Sequence, residues 1–192
     1  MAQAQQTPSQ TVGPFFGIGL CRSSQSQNVL ANALTAGVHI RIEGTVFDGA
    51  GQPVPDALVE IWQANAHGRY RHALDAGPAP LDPHFSGFGR CPTDSGGGFS
   101  FETAKPGAIQ DGDGRRHAPH VNVTVFARGM LVHAFTRIYF ADEALDADPV
   151  FGLVDVSRRP TLVAARADAG DRVVYRWDIH LQGERETVFF DA

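Results

Sequence analysis

Cysteine is scarce in this chain. Its 192 residues hold two, Cys21 and Cys91. That is too few for a disulfide framework, and two reduced thiols in a cytoplasmic protein are expected. Long apolar runs are missing too. No stretch reaches the roughly 18 residues a membrane helix needs. The N-terminus, MAQAQQTPSQ, has neither a positive n-region nor an apolar core, which argues against a secretory signal. Basic charge is in the minority: 16 Lys and Arg stand against 21 Asp and Glu, a net charge of -5. The balance argues against a nucleic-acid surface and against a polybasic membrane patch. A small anionic ligand would therefore need a local cation. There is no HExxH, no CxxC pair, no Walker loop and no nucleophile elbow. GFGRC (87–91) neither follows a clear strand nor opens a helix, so it is not a dinucleotide fingerprint. No fixed-period repeat and no flexible linker divide the chain, and a single domain over 1–192 is expected.

What is present is β-rich. Hydrophobic residues make up 43% of the chain, enough for a substantial core, and 21 Gly and 12 Pro punctuate short apolar runs. Val38–Phe47 alternates Val38, Ile40 and Ile42 against His39, Arg41 and Glu43, the period of a half-buried strand. Turn chemistry in FDGAGQPVPD precedes a second strand, Ala57–Trp62. The segment Gly68–Asp94 reads as a long surface loop. Strands are expected at Gly98–Thr103, Val121–Ala127, Leu131–Phe140, Thr161–Arg166, Val173–Leu181 and Thr187–Phe190, with a turn at Ala167–Asp171. Short helical pieces are expected at Asn28–Leu34 and Glu143–Ala147. Seven or eight strands with few helices predict a mostly β fold, an antiparallel β-sandwich with long loops. Without regular helices between the strands, a doubly wound fold is disfavoured.

The stretch RHAPHVNVTV (116–125) raises the chemical question. Positions two apart on a strand share a face, roughly 6.6 Å from one another, so His120 and Asn122 project side by side as two metal ligands would. An Asn amide, however, is a poor ligand for a transition metal.

Four motifs in order, LVEIWQANAHGRYRH (58–72), DPHFSGFGRCPTD (82–94), FETAKPG (101–107) and RRHAPHVNV (115–123), resemble those of the aromatic-ring-cleaving intradiol dioxygenases. TPSQTVGPFFGIGL (7–20), VFARG (125–129), TRIYFADEA (136–144) and YRWDIHLQGERETVFFD (175–191) resemble the branch of that family in which an α and a β subunit act together. The resemblance implies a ferric ion held by two tyrosines and two histidines. By position the four are Tyr70 in the GRY motif, Ile109 after KPG, and His120 and Asn122 in the APHVN strand. Two donors are thus replaced, and no catalytic residue and no metal ligand are expected in this chain. Tyr70 and His120 then read as ordinary hydrogen-bonding residues of a vestigial pocket.

The resemblance further implies a β subunit bearing Fe(III), with protocatechuate and O₂ as substrates. This chain would complete the substrate pocket and scaffold, through an arm (1–37) against the partner and through Thr11, Gly13, Pro14 and Arg128. Taken alone, Arg128 reads as an exposed residue in a surface salt bridge. A guanidinium does suit a substrate carboxylate. Gly13 permits close backbone approach and Pro14 favours an extended path. Two other readings stand beside this one. The chain is an autonomous iron dioxygenase with altered ligands, or a non-enzymatic β-sandwich binding module.

Overall fold

The structure, a computed structural model, describes residues 19–20, 27–170 and 172–191. Strands dominate it: β1 (His39–Phe47), β2 (Leu58–Gln63), β3 (Phe88–Pro92), β4 (Gly98–Ala104), β5 (Ile109–Gln110), β6 (Arg116–His117), β7 (His120–Phe126), β8 (Ala134–Phe140), β9 (Val163–Ala169), β10 (Arg172–Arg176) and β11 (Ile179–His180). They join in the order β11-β1-β10-β9-β8-β7-β2-β3, with β4 on the other side of β1, while β5 and β6 form a small separate pair. β3 also lies against β4, so the long sheet curls back on itself. Most ladders are antiparallel, but β1 runs parallel to β10 and β11, and β8 runs parallel to β9. Parallel neighbours need a long crossover. The connection from Phe140 to Val163 provides one, with 3₁₀ turns at Phe151–Leu153 and Arg159–Leu162.

Period-two patterning fills the interior. Ile40, Ile42 and Val46 of β1 meet Val59 and Ile61 of β2, Phe99 and Phe101 of β4, Val121, Val123 and Val125 of β7, and Ile138 and Phe140 of β8. A smaller cluster of Ala118, Tyr139, Phe151, Val154 and Leu162 lies under the long crossover. Tyr139 alternates with Ile138 and Phe140, so it belongs to the opposite face of β8. That outer face carries the site.

Four local expectations give way to tertiary contacts. Asn28–Leu34 is extended, not helical. Gln27 bridges Arg90, Val29 bridges Glu102, and Leu30 enters the core. Asn32 then makes a turn, its Oδ1 accepting the Leu34 N–H at 2.8 Å, the local bonding by which Asn competes with helix. The loop at Gly68–Asp94 contains β3, an edge strand on β2 hidden in the sequence by its Gly and Pro. Glu143–Ala147 makes turns rather than a helix, with Glu143 N–H bonded to Phe140 and Asp148 N–H to Leu145. Thr187–Phe190 forms no ladder among the described residues; Phe190 bridges Phe135, and the Thr187 N–H bonds the His180 carbonyl at 2.9 Å. Residues 27–37, the end of the expected N-terminal arm, pack on β3 and β4 of their own chain.

Candidate functional site

Strand register assembles the site. Asn122 on β7 lies between Trp62 on β2 and Arg137 on β8, all on the outer face. One step along, His120 is opposite Tyr139. The GRY loop delivers Tyr70 to this row, where its ring stacks on Trp62 at 5.7 Å between centroids. Asn65 builds that loop: its side-chain oxygen accepts the N–H groups of His67 and Arg69, and its amide donates to Pro80. Asp75 clamps the exit, accepting the Tyr70 N–H at 2.7 Å and pairing with Arg69.

The KPG loop closes the other side. A Cβ at Gly107 would sit 2.6 Å from the Ala66 oxygen, and Gly68, at φ +77°, has the Ala108 carbonyl where its own Cβ would be. These two glycines let the backbones touch. Ile109 consequently lines a cleft with Tyr70 and Trp62 and pairs across β5–β6 with His117.

The hydrogen bonds run in one direction. Arg137 Nε donates to Asn122 Oδ1 at 3.1 Å, and Asn122 Nδ2 donates to the Tyr70 hydroxyl at 2.9 Å. That hydroxyl lies 3.4 Å from His120 Nε2, and His120 Nδ1 is 2.8 Å from the Ala118 carbonyl. A carbonyl only accepts, so Nδ1 carries the proton and Nε2 of the neutral ring accepts from Tyr70. Asp148, itself buried, fixes Ala118 by accepting its N–H at 2.8 Å and also accepts from the Tyr139 hydroxyl at 3.0 Å.

Electrostatics favour the neutral forms of His120, Tyr70 and Tyr139. Burial, reinforced by the Arg137 guanidinium, pulls the His120 pKa down to about 4. Burial pushes the Tyr70 phenol up, against the Asn122 hydrogen bond and the Arg137 charge. It pushes the Tyr139 phenol up as well.

Three of the four sequence-identified positions, Tyr70, His120 and Asn122, are joined by hydrogen bonds, and Ile109 borders the same cleft. The set does not fit a ferric ion, which favours anionic oxygen and imidazole donors. Ile109 offers no donor. Asn122 offers a neutral amide already bonded at both ends. The Arg137 guanidinium adds a like charge. Among the described residues no group of three or more His, Cys, Asp or Glu is arranged to hold a metal ion. Arg128 lies elsewhere, past the far end of β7, a strand about 20 Å long. It is 70% exposed in its side chain and pairs with Asp56 at 2.7 Å. Thr11, Gly13, Pro14 and Cys21 lie outside the described residues. Cys91 is a free, buried thiol.

Arg137 and Trp62 were not among the sequence candidates. Both sit inside quoted motifs, but only the register across β2, β7 and β8 brings them to Asn122.

The family model described as "Dioxygenase" matches residues 11–183. The protocatechuate 3,4-dioxygenase α chain of Burkholderia cepacia is 45% identical over 100% of both chains. The α chain of Pseudomonas putida is 42% identical over 97% of this chain and 96% of its own. The B. cepacia β chain is 37% identical over 91% of this chain and 78% of its own. Among solved structures, hydroxyquinol 1,2-dioxygenase from P. putida DLL-E4 superposes with a TM-score of 0.63 at 22% identity, covering 95% of this chain and 69% of that one. The fold and the full-length likeness agree with the motifs: the chain belongs to the dioxygenase family, in its intradiol ring-cleaving form.

Proposed function

We propose that this chain is the α-type subunit of a protocatechuate 3,4-dioxygenase, built without an iron site of its own. One observation carries the reading. The positions that would ligate iron are taken up by an internal chain from Arg137 through Asn122 and Tyr70 to His120, beside the hydrocarbon of Ile109. Full-length likeness to two α chains, exceeding that to a β chain, supports the same assignment.

The complex takes protocatechuate and O₂ to 3-carboxy-cis,cis-muconate. The β subunit holds Fe(III), which supplies the oxygen chemistry. This chain contributes one folded domain as scaffold and part of the pocket wall. Thr11, Gly13 and Pro14 line the partner's pocket, and Arg128 faces it from the surface. Its exposed guanidinium is held by a single carboxylate, Asp56, and is free to favour a substrate carboxylate across the interface. The complex works in the cytoplasm. The reduced Cys91 fits that compartment, and no helix among the described residues is long and apolar enough to cross a membrane.

Iron content and ring cleavage test the assignment, measured on this chain purified alone and then co-expressed with its β partner. The expected result is a colourless, inactive single chain and a coloured, active pair with one iron per αβ unit. Near-stoichiometric iron and activity in the single chain would make it an autonomous dioxygenase. Full activity of the β chain without this one would leave it a binding module.

A further inference from the structure

The Arg137 guanidinium is turned inward, onto the row of Tyr70 and His120. Its Nε donates to Asn122 Oδ1 at 3.1 Å, Nη1 is buried without a hydrogen-bond partner among the described residues, and its hydrogen bonding and charge bear on the Tyr139 phenol as well. Asn122 Nδ2 reaches the Tyr70 hydroxyl at 2.9 Å, and the Tyr139 ring lies 5.9 Å from that of His120. The positive charge thus stands one side chain removed from Tyr70 and from His120. The carboxylates around the row are committed elsewhere. Asp148, fully buried in its side chain, accepts from the Ala118, Val150 and Phe151 N–H groups and from the Tyr139 hydroxyl. Glu60 on β2 pairs with Arg90, and Asp75 pairs with Arg69. A buried charge without a counterion repels an incoming cation, and the low effective dielectric of a protein interior strengthens the repulsion. The proton already registers it: after burial, the Arg137 charge is the next cause of the low basicity of His120.

We propose that Arg137 bars metal cations from this row by its charge, independently of the two missing donors. The proposal rests on the reading of the row as an emptied iron site and adds a determinant to it. Lost donors and an added charge are separate obstacles. Ile109 and Asn122 reduce what a metal ion would gain from the side chains. Arg137 raises the cost of bringing the ion in, whichever donors are present. Through Asn122 the same guanidinium also fixes the Tyr70 hydroxyl, so the row is braced by a cation of the chain's own. Restoring a tyrosine at position 109 and a histidine at position 122 is then not enough to restore metal binding.

Cobalt(II) is the probe, equilibrated with the full chain purified without its partner. Binding is read by metal analysis after dialysis and by the visible ligand-field bands of the ion. The parent chain is compared with Ile109→Tyr/Asn122→His, which restores both donors, and with the same pair plus Arg137→Gln. The triple variant is expected to bind one equivalent at least about tenfold more tightly than the double variant. Tyr70→Phe in the triple variant is expected to weaken that binding again. Arg137→Lys on the double background keeps the charge but loses the planar fork, and is expected to bind as weakly as the double variant. If Arg137→Gln gives no cooperative melt, Arg137→Met takes its place as the neutral variant. No gain on neutralising Arg137, whether both variants bind or neither does, would overturn the proposal and leave the emptied-site reading standing. So would Arg137→Lys binding as tightly as the neutral variant. One tight equivalent on the parent chain would instead overturn the emptied-site reading, and the proposal with it.

Discussion

Single atoms decide the chemistry at this site. On the proposed assignment, Ile109 at a phenol position removes a donor outright, whereas Asn122 at an imidazole position becomes a hydrogen-bond relay between Arg137 and Tyr70. His120 closes the relay in its neutral form, and that form has a pH signature. Tyr70, Tyr139, His117, Arg137 and Asp148 face the ring, but burial dominates and holds the folded pKa at about 4 against 6.5 for a free histidine. Between those values the unfolded chain binds a proton that the folded one refuses. Stability attributable to His120 is therefore fully present above pH 6.5 and falls as pH drops toward 4, by about 3 kcal/mol in all. Urea unfolding across that range measures it. The slope is expected to shrink in His120→Gln, and an unchanged slope would mean that other groups set the acid limit.

At the level of strands and loops, the site depends on two backbone approaches and one register. Gly68→Ala forces a side chain into a positive-φ position and against the Ala108 carbonyl. A loss of about 2–4 kcal/mol is expected. Gly112→Ala, in open space on the neighbouring loop, is expected to be nearly neutral, and thermal unfolding of the pair checks the contrast. Val123→Ala, fully buried on β7, is expected to cost about 2 kcal/mol through lost burial and a residual cavity. Val123 was legible from sequence because Val121, Val123 and Val125 mark period two without ambiguity. So were Tyr70, Ile109, His120 and Asn122, because each sits at a fixed offset in a motif. β3 was not legible: Gly89 and Pro92 are weak strand formers, and its pairing with β2 supplies what its composition does not. Arg137 escaped for a different reason. A lone arginine in a strand carries no spacing signal, and it acquires meaning only opposite Asn122 across the β7–β8 ladder. The parallel pairings of β1 and β8 were likewise invisible, since alternation reports which face is buried but not strand direction.

For the whole molecule, the two ends of β7 carry opposite assignments. The His120 end is closed within the chain's own outer-face cluster, bonded and largely desolvated. The Arg128 end points a charged residue into solvent with one carboxylate partner. A subunit that served only itself would gain little from Arg128, because exposed ion pairs contribute about 0–1 kcal/mol. Arg128→Ala is therefore expected to leave the melting temperature of the isolated chain nearly unchanged. In the αβ complex the same substitution is expected to raise KM for protocatechuate about tenfold, as removal of a charge-assisted contact to the substrate carboxylate would. Catechol, which has no carboxylate, supplies the internal control: its weaker turnover should be indifferent to the substitution. Equal losses for both substrates would place Arg128 in subunit assembly rather than in carboxylate recognition. No loss for either would return it to the surface salt bridge with Asp56 that the single chain displays.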